Sequence, residues 1–472
     1  MKKFPRKSSS AEEVFEKLRD CASRDLNPHT GRMWGHYYAT GKPDLTDLAR
    51  KALLEFMDKT MLDFTTYPSI LKMENDVVAM IADLMNGDDS VVGNFTYGGT
   101  ESIMLAVKAA RDLFRKKKNG IPEIVLPSTA HPAFYKSAEF LGLKPVRVEV
   151  EPETFKVSAE KVNEVVSDRT AMIVGSAPNY PFGVVDDIKG LGDLAVDHKL
   201  WLHVDACMSF VLPFFRKLGE NIPDFDFSVE GVSSMSVDLH KYGYTPRGAS
   251  VILHRNAELR DNHVFVMASW PGYPLVNTAV LSTRSAGTLA ASWAILHHLG
   301  QEGYLELSEK ILKAKKKLLK GLPKIGFKVL GNPESSLLAF TSAELNLFIL
   351  AKEMGRKGWY IQAQPGSKPL GYPKSIHLSI SPYHYEVVDK FLDDLKDGAE
   401  AVKAMPKADV MEMLRDIDLS SKDLIESIGI KDGELPEDMT LINELIHLMP
   451  PELVEDIFRK VVNEEIFRVS RG

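Results

Sequence analysis

Between residues 91 and 253 the chain alternates short apolar, β-branched runs with stretches of helical period. Strands are expected over 91–95, 124–127, 146–150, 172–176, 201–205, 233–237 and 249–253. Helices are expected between them at 101–116, 131–141, 158–166 and 188–198. Alternation of this kind predicts an α/β unit whose mostly parallel sheet is covered on both faces. Upstream, helical periodicity at 11–21, 44–60 and 73–84 predicts a helical arm. Downstream, 289–320 reads as a long helix interrupted near 300–303. Strands near 327–330, 337–340, 360–363 and 376–380, with helices at 344–357 and 386–404, then make a smaller α+β unit. Pro406 marks a boundary, and residues 407–472 are acidic, helical in pattern and free of Tyr and Trp. They are expected to form a pair or trio of helices packed on the body or on a partner chain. The expected organisation is an arm over 1–72, a large domain over 73–300, a small domain over 301–405 and a helical extension over 406–472.

Composition narrows the function classes. The 472 residues are 44% hydrophobic and 26% charged, ordinary for a soluble globular protein. A net charge of −7 gives no bias toward nucleic acid. The lysine run at 313–317 has no interleaved aromatics and reads as a solvated helix face. No run of about 18 uncharged apolar residues exists, so no transmembrane segment is expected. Two cysteines, Cys21 and Cys207, make no disulfide framework and fit a reducing, cytoplasmic setting.

Candidate chemistry falls at the ends of the expected strands, where ligands sit in open α/β sheets. Gly98-Gly99-Thr100 lies between a strand and a helix, so backbone N–H groups and the helix dipole can receive a phosphate. His131 stands at the start of the next helix and offers a flat imidazole to a planar ligand. Asp205 ends an apolar strand, where a carboxylate is costly unless compensated. Its spacing from His203 permits a two-ligand metal site, but no further His/Cys cluster supports one, and no metal is expected. Lys241, beside His240, sits in the Gly/Pro-rich loop 236–248 between two buried strands. Burial lowers a lysine pKa, which suits Schiff-base chemistry. Each residue alone has a simpler structural account: a tight turn, a packing histidine, a strand-end ion pair, a solvated lysine. Together, in this chain order, they are the set that holds pyridoxal 5′-phosphate: a phosphate cup, a stacking His131, Asp205 on the pyridinium nitrogen and Lys241 in covalent linkage.

The chain also resembles a family. Gly98-Gly99-Thr100-Glu101-Ser102, His131-Pro132-Ala133-Phe134, His203-Val204-Asp205-Ala206-Cys207 and His240-Lys241 are similar to the group II pyridoxal-phosphate decarboxylases of fold type I. Ser176-Ala177-Pro178-Asn179-Tyr180-Pro181, His240-Lys241-Tyr242-Gly243-Tyr244, Trp270-Pro271-Gly272 and Gly303-Tyr304-Leu305 resemble its sphingosine-1-phosphate lyase branch. The resemblance spans roughly 30–403. It implies a homodimer with active sites at the interface, the N-terminal arm contributing dimer contacts and Thr283 reaching the neighbouring subunit's cofactor phosphate. It implies that Tyr180 lies near the reacting centre. Tyr38 matches a tyrosine that these lyases place at the substrate phosphate, and Arg247 stands where they carry a lysine. The lyases' Asn-Pro-Leu-His segment reads Thr60-Met61-Leu62-Asp63 here, which puts Asp63 among the substrate-facing candidates.

The implied activity is carbon–carbon cleavage of a phosphorylated 2-amino-alcohol, a small-molecule amine, with Tyr180, Lys241 or the cofactor phosphate as base. The alternative is α-decarboxylation of an amino acid, with Arg247 holding a carboxylate and Asp63 a substrate cation. A non-catalytic binding protein of the same fold is a third class, which the intact Lys241, Asp205 and His131 argue against.

Overall fold

The computed structural model describes residues 4–405, 436 and 438–467. The arm contributes α1 (Ala11–Cys21), α2 (Pro43–Phe56) and α3 (Pro68–Leu84). A capping box starts α1: Glu13 N–H donates to Ser10 Oγ and Ser10 N–H donates to Glu13 Oε2. Pro43 and Pro68 open α2 and α3, where a missing N–H costs nothing.

The large sheet is built from β1 (Val92–Thr96), α4 (Gly99–Lys117), β2 (Glu123–Pro127), α5 (Ala133–Leu141), β3 (Lys144–Val148), α6 (Ala159–Asn163), β4 (Thr170–Ser176), α7 (Ile188–His198), β5 (Trp201–Asp205), α8 (Leu212–Lys217), β6 (Val232–Asp238), β7 (Ser250–His254) and α9 (Ala257–Asp261). Its strand order is β1-β7-β6-β5-β4-β2-β3. Only β7 runs against the rest. It returns directly from β6, so residues 239–249 form a tight connection rather than a helical crossover. The carboxyl ends of β1, β4, β5 and β6 therefore share one edge of the sheet. Strands β2, β4, β5 and β7 are buried along their whole length, which is why they read as continuous apolar runs instead of alternating ones.

A short hairpin follows, β8 (Phe265–Met267) with β9 (Leu275–Asn277). The sequence pattern missed it because both strands are exposed and short. Then α10 (Gly287–Ile325) crosses back, broken at Gly300 (φ 52°, ψ −170°), where the interruption was expected. The small sheet, order β10-β11-β13-β12, is antiparallel: β10 (Lys328–Val329), β11 (Leu337–Thr341), β12 (Gln362–Gln364) and β13 (Ser375–Ser379). Helices α11 (Leu347–Arg356) and α12 (His384–Ala404) belong to the same unit. Residues 32–39 thread along it: Trp34 N–H donates to Tyr360 O, Ser379 N–H to Trp34 O, and Tyr383 N–H to Ala39 O. The Trp34 ring stacks on His384 at 3.7 Å. This stretch fixes the position of Tyr38.

Of the C-terminal extension, α13 (Thr440–Leu448) and α14 (Pro451–Val461) are described. The expected helices between 406 and 435 lie outside the described residues. Helix α13 packs on the body, as Glu444 is buried against Asn346 and Lys374. No helix among the described residues is long and apolar enough to cross a membrane.

Candidate active site

At the end of β1 the chain turns through Gly98 (φ 126°), a backbone region that favours glycine. A Cβ on Gly99 would stand 2.8 Å from Asp238 Oδ1 and 2.9 Å from Cys207 Sγ, so only glycine fits. Thr100 follows in the first turn of α4, whose leading amides have no carbonyl ahead of them in the helix. Glu101 closes the turn from behind. Its Oε2 accepts from Tyr97 N–H at 2.6 Å, and its Oε1 accepts from Val280 N–H (2.7 Å) and Leu281 N–H (2.9 Å). One buried carboxylate thus ties the cup to the loop that carries Thr283, which is exposed. Glu101 was absent from the sequence candidates; its signal was an acidic residue in the first turn of the cup helix.

Asp205 is 8% exposed, and its Oδ1 accepts from Cys207 N–H at 3.1 Å. His203 lies fully buried between Ser234 Oγ (2.8 Å from Nδ1) and Ser236 Oγ (3.3 Å from Nε2). Burial pushes its pKa down to about 3, so it is a neutral member of the sheet. No group of three potential metal ligands occurs among the described residues. His131 lies two residues before α5 rather than inside it, and its ring is open to the cleft. Nδ1 accepts from Ala133 N–H at 3.2 Å, which leaves the proton on Nε2. Burial lowers its pKa against the pull of Asp205, which favours the neutral ring.

Lys241 corrects the sequence expectation. Its Nζ lies 3.0 Å from Asp238 Oδ2, and the two side chains are 19% and 3% exposed. Burial alone would lower the lysine pKa, but the Asp238 carboxylate outweighs it and holds the ammonium well above the usual range. Burial would likewise raise the Asp238 carboxyl, and Lys241 and His240 reverse that. Asp238 Oδ1 is buried with no hydrogen-bond partner among the described residues. Asp238 was missed, although it carried the signal that singled out Asp205: a carboxylate as the last residue of an apolar strand. His240 Nδ1 donates to Ala249 O at 2.7 Å, and Nε2 stands 3.6 Å from Asp238 Oδ2. Burial, countered by Asp238, lowers the His240 pKa.

Outward from Lys241 opens a cavity of about 420 Å³. Tyr38, Arg247 and His240 line it with Lys241, and one face of α2 closes it. Tyr38 is buried, its ring 4.7 Å from that of Tyr242, and its hydroxyl points at Met208 Sδ (3.7 Å). The Arg247 guanidinium sits over the Tyr38 ring at 5.7 Å and has no carboxylate partner among the described residues. Tyr180 lies beyond β4, near enough to Lys241 for the ammonium to act on it. Its hydroxyl donates to Gln362 Oε1 at 2.6 Å, its ring stacks on His377 at 4.4 Å, and burial pushes its pKa up to about 12. A hydroxyl so committed gives up its proton poorly at neutral pH.

Asp63 does not line this cavity. Its Oδ1 accepts from Thr65 N–H (2.9 Å), Thr65 Oγ1 (2.5 Å) and Thr66 N–H (3.2 Å), and its Oδ2 accepts from Thr66 Oγ1 (2.9 Å). The Thr65 and Thr66 hydroxyls hold its pKa down to about 2. In this chain Asp63 shapes its own turn.

Comparison with known proteins agrees with this geometry. Residues 1–342 match the pyridoxal-dependent decarboxylase conserved domain. A sphingosine-1-phosphate lyase of Arabidopsis thaliana is 40% identical over 405 residues, 84% of this chain and 73% of that protein. An L-aspartate decarboxylase of Thermococcus kodakarensis is 34% identical over 400 residues, 84% of this chain and 99% of that protein. The solved structure of a Burkholderia pseudomallei sphingosine-1-phosphate lyase superposes with a TM-score of 0.81 at 32% identity, over 85% of this chain and 93% of that one. The chain belongs to the pyridoxal-dependent decarboxylase family and is a pyridoxal-phosphate-dependent lyase.

Proposed function

We propose that the protein cleaves the C2–C3 bond of a phosphorylated 2-amino-alcohol of the sphingoid base 1-phosphate type, giving a fatty aldehyde and phosphoethanolamine. The observation that carries this reading is the unpaired Arg247 guanidinium over Tyr38, at the mouth of the cavity that ends on Lys241. It supplies a cation for a phosphate at one end of a substrate whose amine reaches Lys241. The similarity to sphingosine-1-phosphate lyases supports the same substrate class.

The residues present fit pyridoxal phosphate. Gly98-Gly99-Thr100 leave backbone room and free amides for its phosphate. Asp205 suits a protonated ring nitrogen, His131 presents a neutral ring to its face, and Lys241 is the amine that links to it. Once bound, the cofactor withdraws the electron pair left on C2 when the bond breaks. The chain's own part is proton handling. Lys241 Nζ, once displaced as a neutral amine by the amine of the substrate, is the group placed to take the C3 hydroxyl proton and return it to C2. Asp238 Oδ2, 3.0 Å away, stabilises the ammonium between the two events. With a pKa near 12 and its hydroxyl on Gln362, Tyr180 orients rather than ionises.

The site is completed by a second copy of the chain. Val266, Trp270, Tyr273, Val276, Val280 and Leu281 are all exposed on the β8–β9 hairpin and the loop leading to Thr283. An apolar run of this kind belongs against a partner. A homodimer in light scattering is expected; a monomer that binds cofactor normally would remove the shared-site arrangement.

Decarboxylation of an acidic amino acid is the second reading, because the arginine fork of Arg247 holds a carboxylate as well as a phosphate and the Thermococcus relative is named for it. Incubation with a sphingoid base phosphate and with an amino-acid panel separates the two. Aldehyde release carries the first reading; carbon dioxide without aldehyde refutes it.

A further inference from the structure

The wall of the Lys241 cavity opposite Arg247 is a stripe on α2: Thr46, Ala49, Arg50, Leu53 and Leu54. Leu45 and Ala49 are the buried positions of this helix, so Arg50, one residue on, stands at the rim of the packed face. Among the described residues its guanidinium has one carboxylate partner, the exposed Asp47, at 3.3 Å. Such a pair yields to a better anion at little cost. Tyr37 lines the same cavity, with its hydroxyl bonded to His29 Nδ1 at 3.2 Å. Burial raises its pKa, and both Arg247 and Arg50 act against that rise. A second cavity of about 250 Å³ shares Tyr37, Thr46 and Arg50 with the first, so Arg50 lies on the partition between them. Two guanidinium groups thus face one pocket, neither held by a buried carboxylate.

We infer that Arg50 and Arg247 together form a clamp for the anionic head group of the substrate. This rests on the proposed substrate class and adds a cation that the sequence comparison of the loop did not reveal. Arg247 comes from the β6–β7 connection and Arg50 from the arm, so the head group bridges two separate parts of the fold. Two planar forks converging on one group suit a tetrahedral dianion better than a single point charge does.

The test is a calorimetric titration of the cofactor-loaded enzyme with phosphoethanolamine and with ethanolamine. Wild-type protein is expected to prefer phosphoethanolamine. Arg50→Ala is expected to reduce that preference by roughly tenfold or more, the usual size of a charged hydrogen-bond loss, and Arg50→Lys to restore part of it. The cofactor absorbance of the variants, unchanged from wild type, confirms that the fold and the inner site are intact. An Arg50→Ala protein with undiminished preference, beside an Arg247→Ala protein that loses it, overturns the clamp and leaves the lyase reading standing. A wild-type protein indifferent to the phosphate, but whose affinity for L-aspartate falls in Arg50→Ala, keeps the clamp and removes the phosphorylated-substrate reading. Binding of neither anion overturns both.

Discussion

The two ends of the β6–β7 connection obey different physics. At its inner end Asp238, His240 and Lys241 lie at the edge of a fully packed sheet, and each charge is met by another within a few ångströms. At its outer end Arg247 is exposed, stacked on one aromatic ring and free of any acidic partner among the described residues. A charge taken out of water must be compensated by the protein itself. A charge left at the rim is compensated by water until a ligand arrives. The inner end is therefore pre-organised for one chemistry, whereas the outer end selects who receives it.

The largest expected effects lie at the inner end. Lys241→Ala is expected to abolish turnover and the covalent cofactor band at ~420 nm; a variant to which borohydride still fixes the cofactor covalently would move the attachment site elsewhere. Asp205→Ala is expected to lower kcat by about 10²–10³-fold, the scale of losing one pre-organised electrostatic partner, while some cofactor stays bound. Near-normal turnover would remove Asp205 from the ring nitrogen.

Asp238→Asn sharpens the comparison through pH. The Asp238 carboxyl lies below its ordinary value of 3.8 in the folded chain, so its contribution to stability is present above that value and lost as pH falls through the lowered one. The Lys241 pKa is raised, so its contribution is complete at neutral pH and lost only as pH rises through the folded value. Removing one member of a buried pair costs roughly 3–5 kcal/mol. The variant should therefore unfold at lower denaturant at pH 7 and lose part of the wild-type sensitivity to acid. Its Lys241 should also react with an amine-directed reagent at lower pH. Identical reaction profiles in the two cofactor-free proteins would show that Asp238 does not hold the lysine proton.

The same contrast explains what the sequence disclosed. Strand-end positions were readable because burial forces an apolar run and makes any polar residue in it conspicuous: Asp205 stood out for that reason, and Asp238 carried the same mark unnoticed. The seven strands and the break at Gly300 were readable for similar reasons of period and punctuation. Of the outer site, Tyr38 and Arg247 were named only through the family resemblance, and Arg50 not at all. Tyr38, Arg50 and Arg247 come from an arm and two elements that meet only in the folded chain. Exposed arginines leave no local pattern. The pKa of Lys241 was misjudged because burial was legible and its carboxylate partner, three residues away around a turn, was not weighed. Asp63 matched a substrate-facing position by alignment, but two neighbouring threonines had already claimed its oxygens.

Glu101 tests whether the two ends are coupled. Its Oε1 receives two amides of the Thr283 loop, and its Oε2 receives the amide of Tyr97 beside the cup. Glu101→Gln keeps the shape but turns one acceptor oxygen into an NH2 donor, so the Tyr97 bond or the Val280 and Leu281 bonds are lost and the remainder are weakened. Cofactor affinity should fall by about tenfold, on the scale of a lost charged hydrogen bond, and the dimer should dissociate at higher protein concentration. Loss of cofactor with an unchanged dimer would confine Glu101 to the cup.

The smallest effect is expected at Tyr180, beyond β4. If its hydroxyl moved the proton, it would have to ionise from a pKa near 12 and release Gln362, on which it now donates at 2.6 Å. A neutral hydrogen bond contributes about 0.5–1.5 kcal/mol net, so Tyr180→Phe should lower kcat by roughly tenfold at most and leave the pH profile of kcat in place. The stacked His377 keeps the ring where it is, so the variant tests the hydroxyl alone. A fall beyond a hundredfold, with the limb along which kcat rises with pH gone, would mean that Tyr180 rather than Lys241 carries the proton. The boundary between the pre-organised and the selective part of the cleft would then lie one side chain further out.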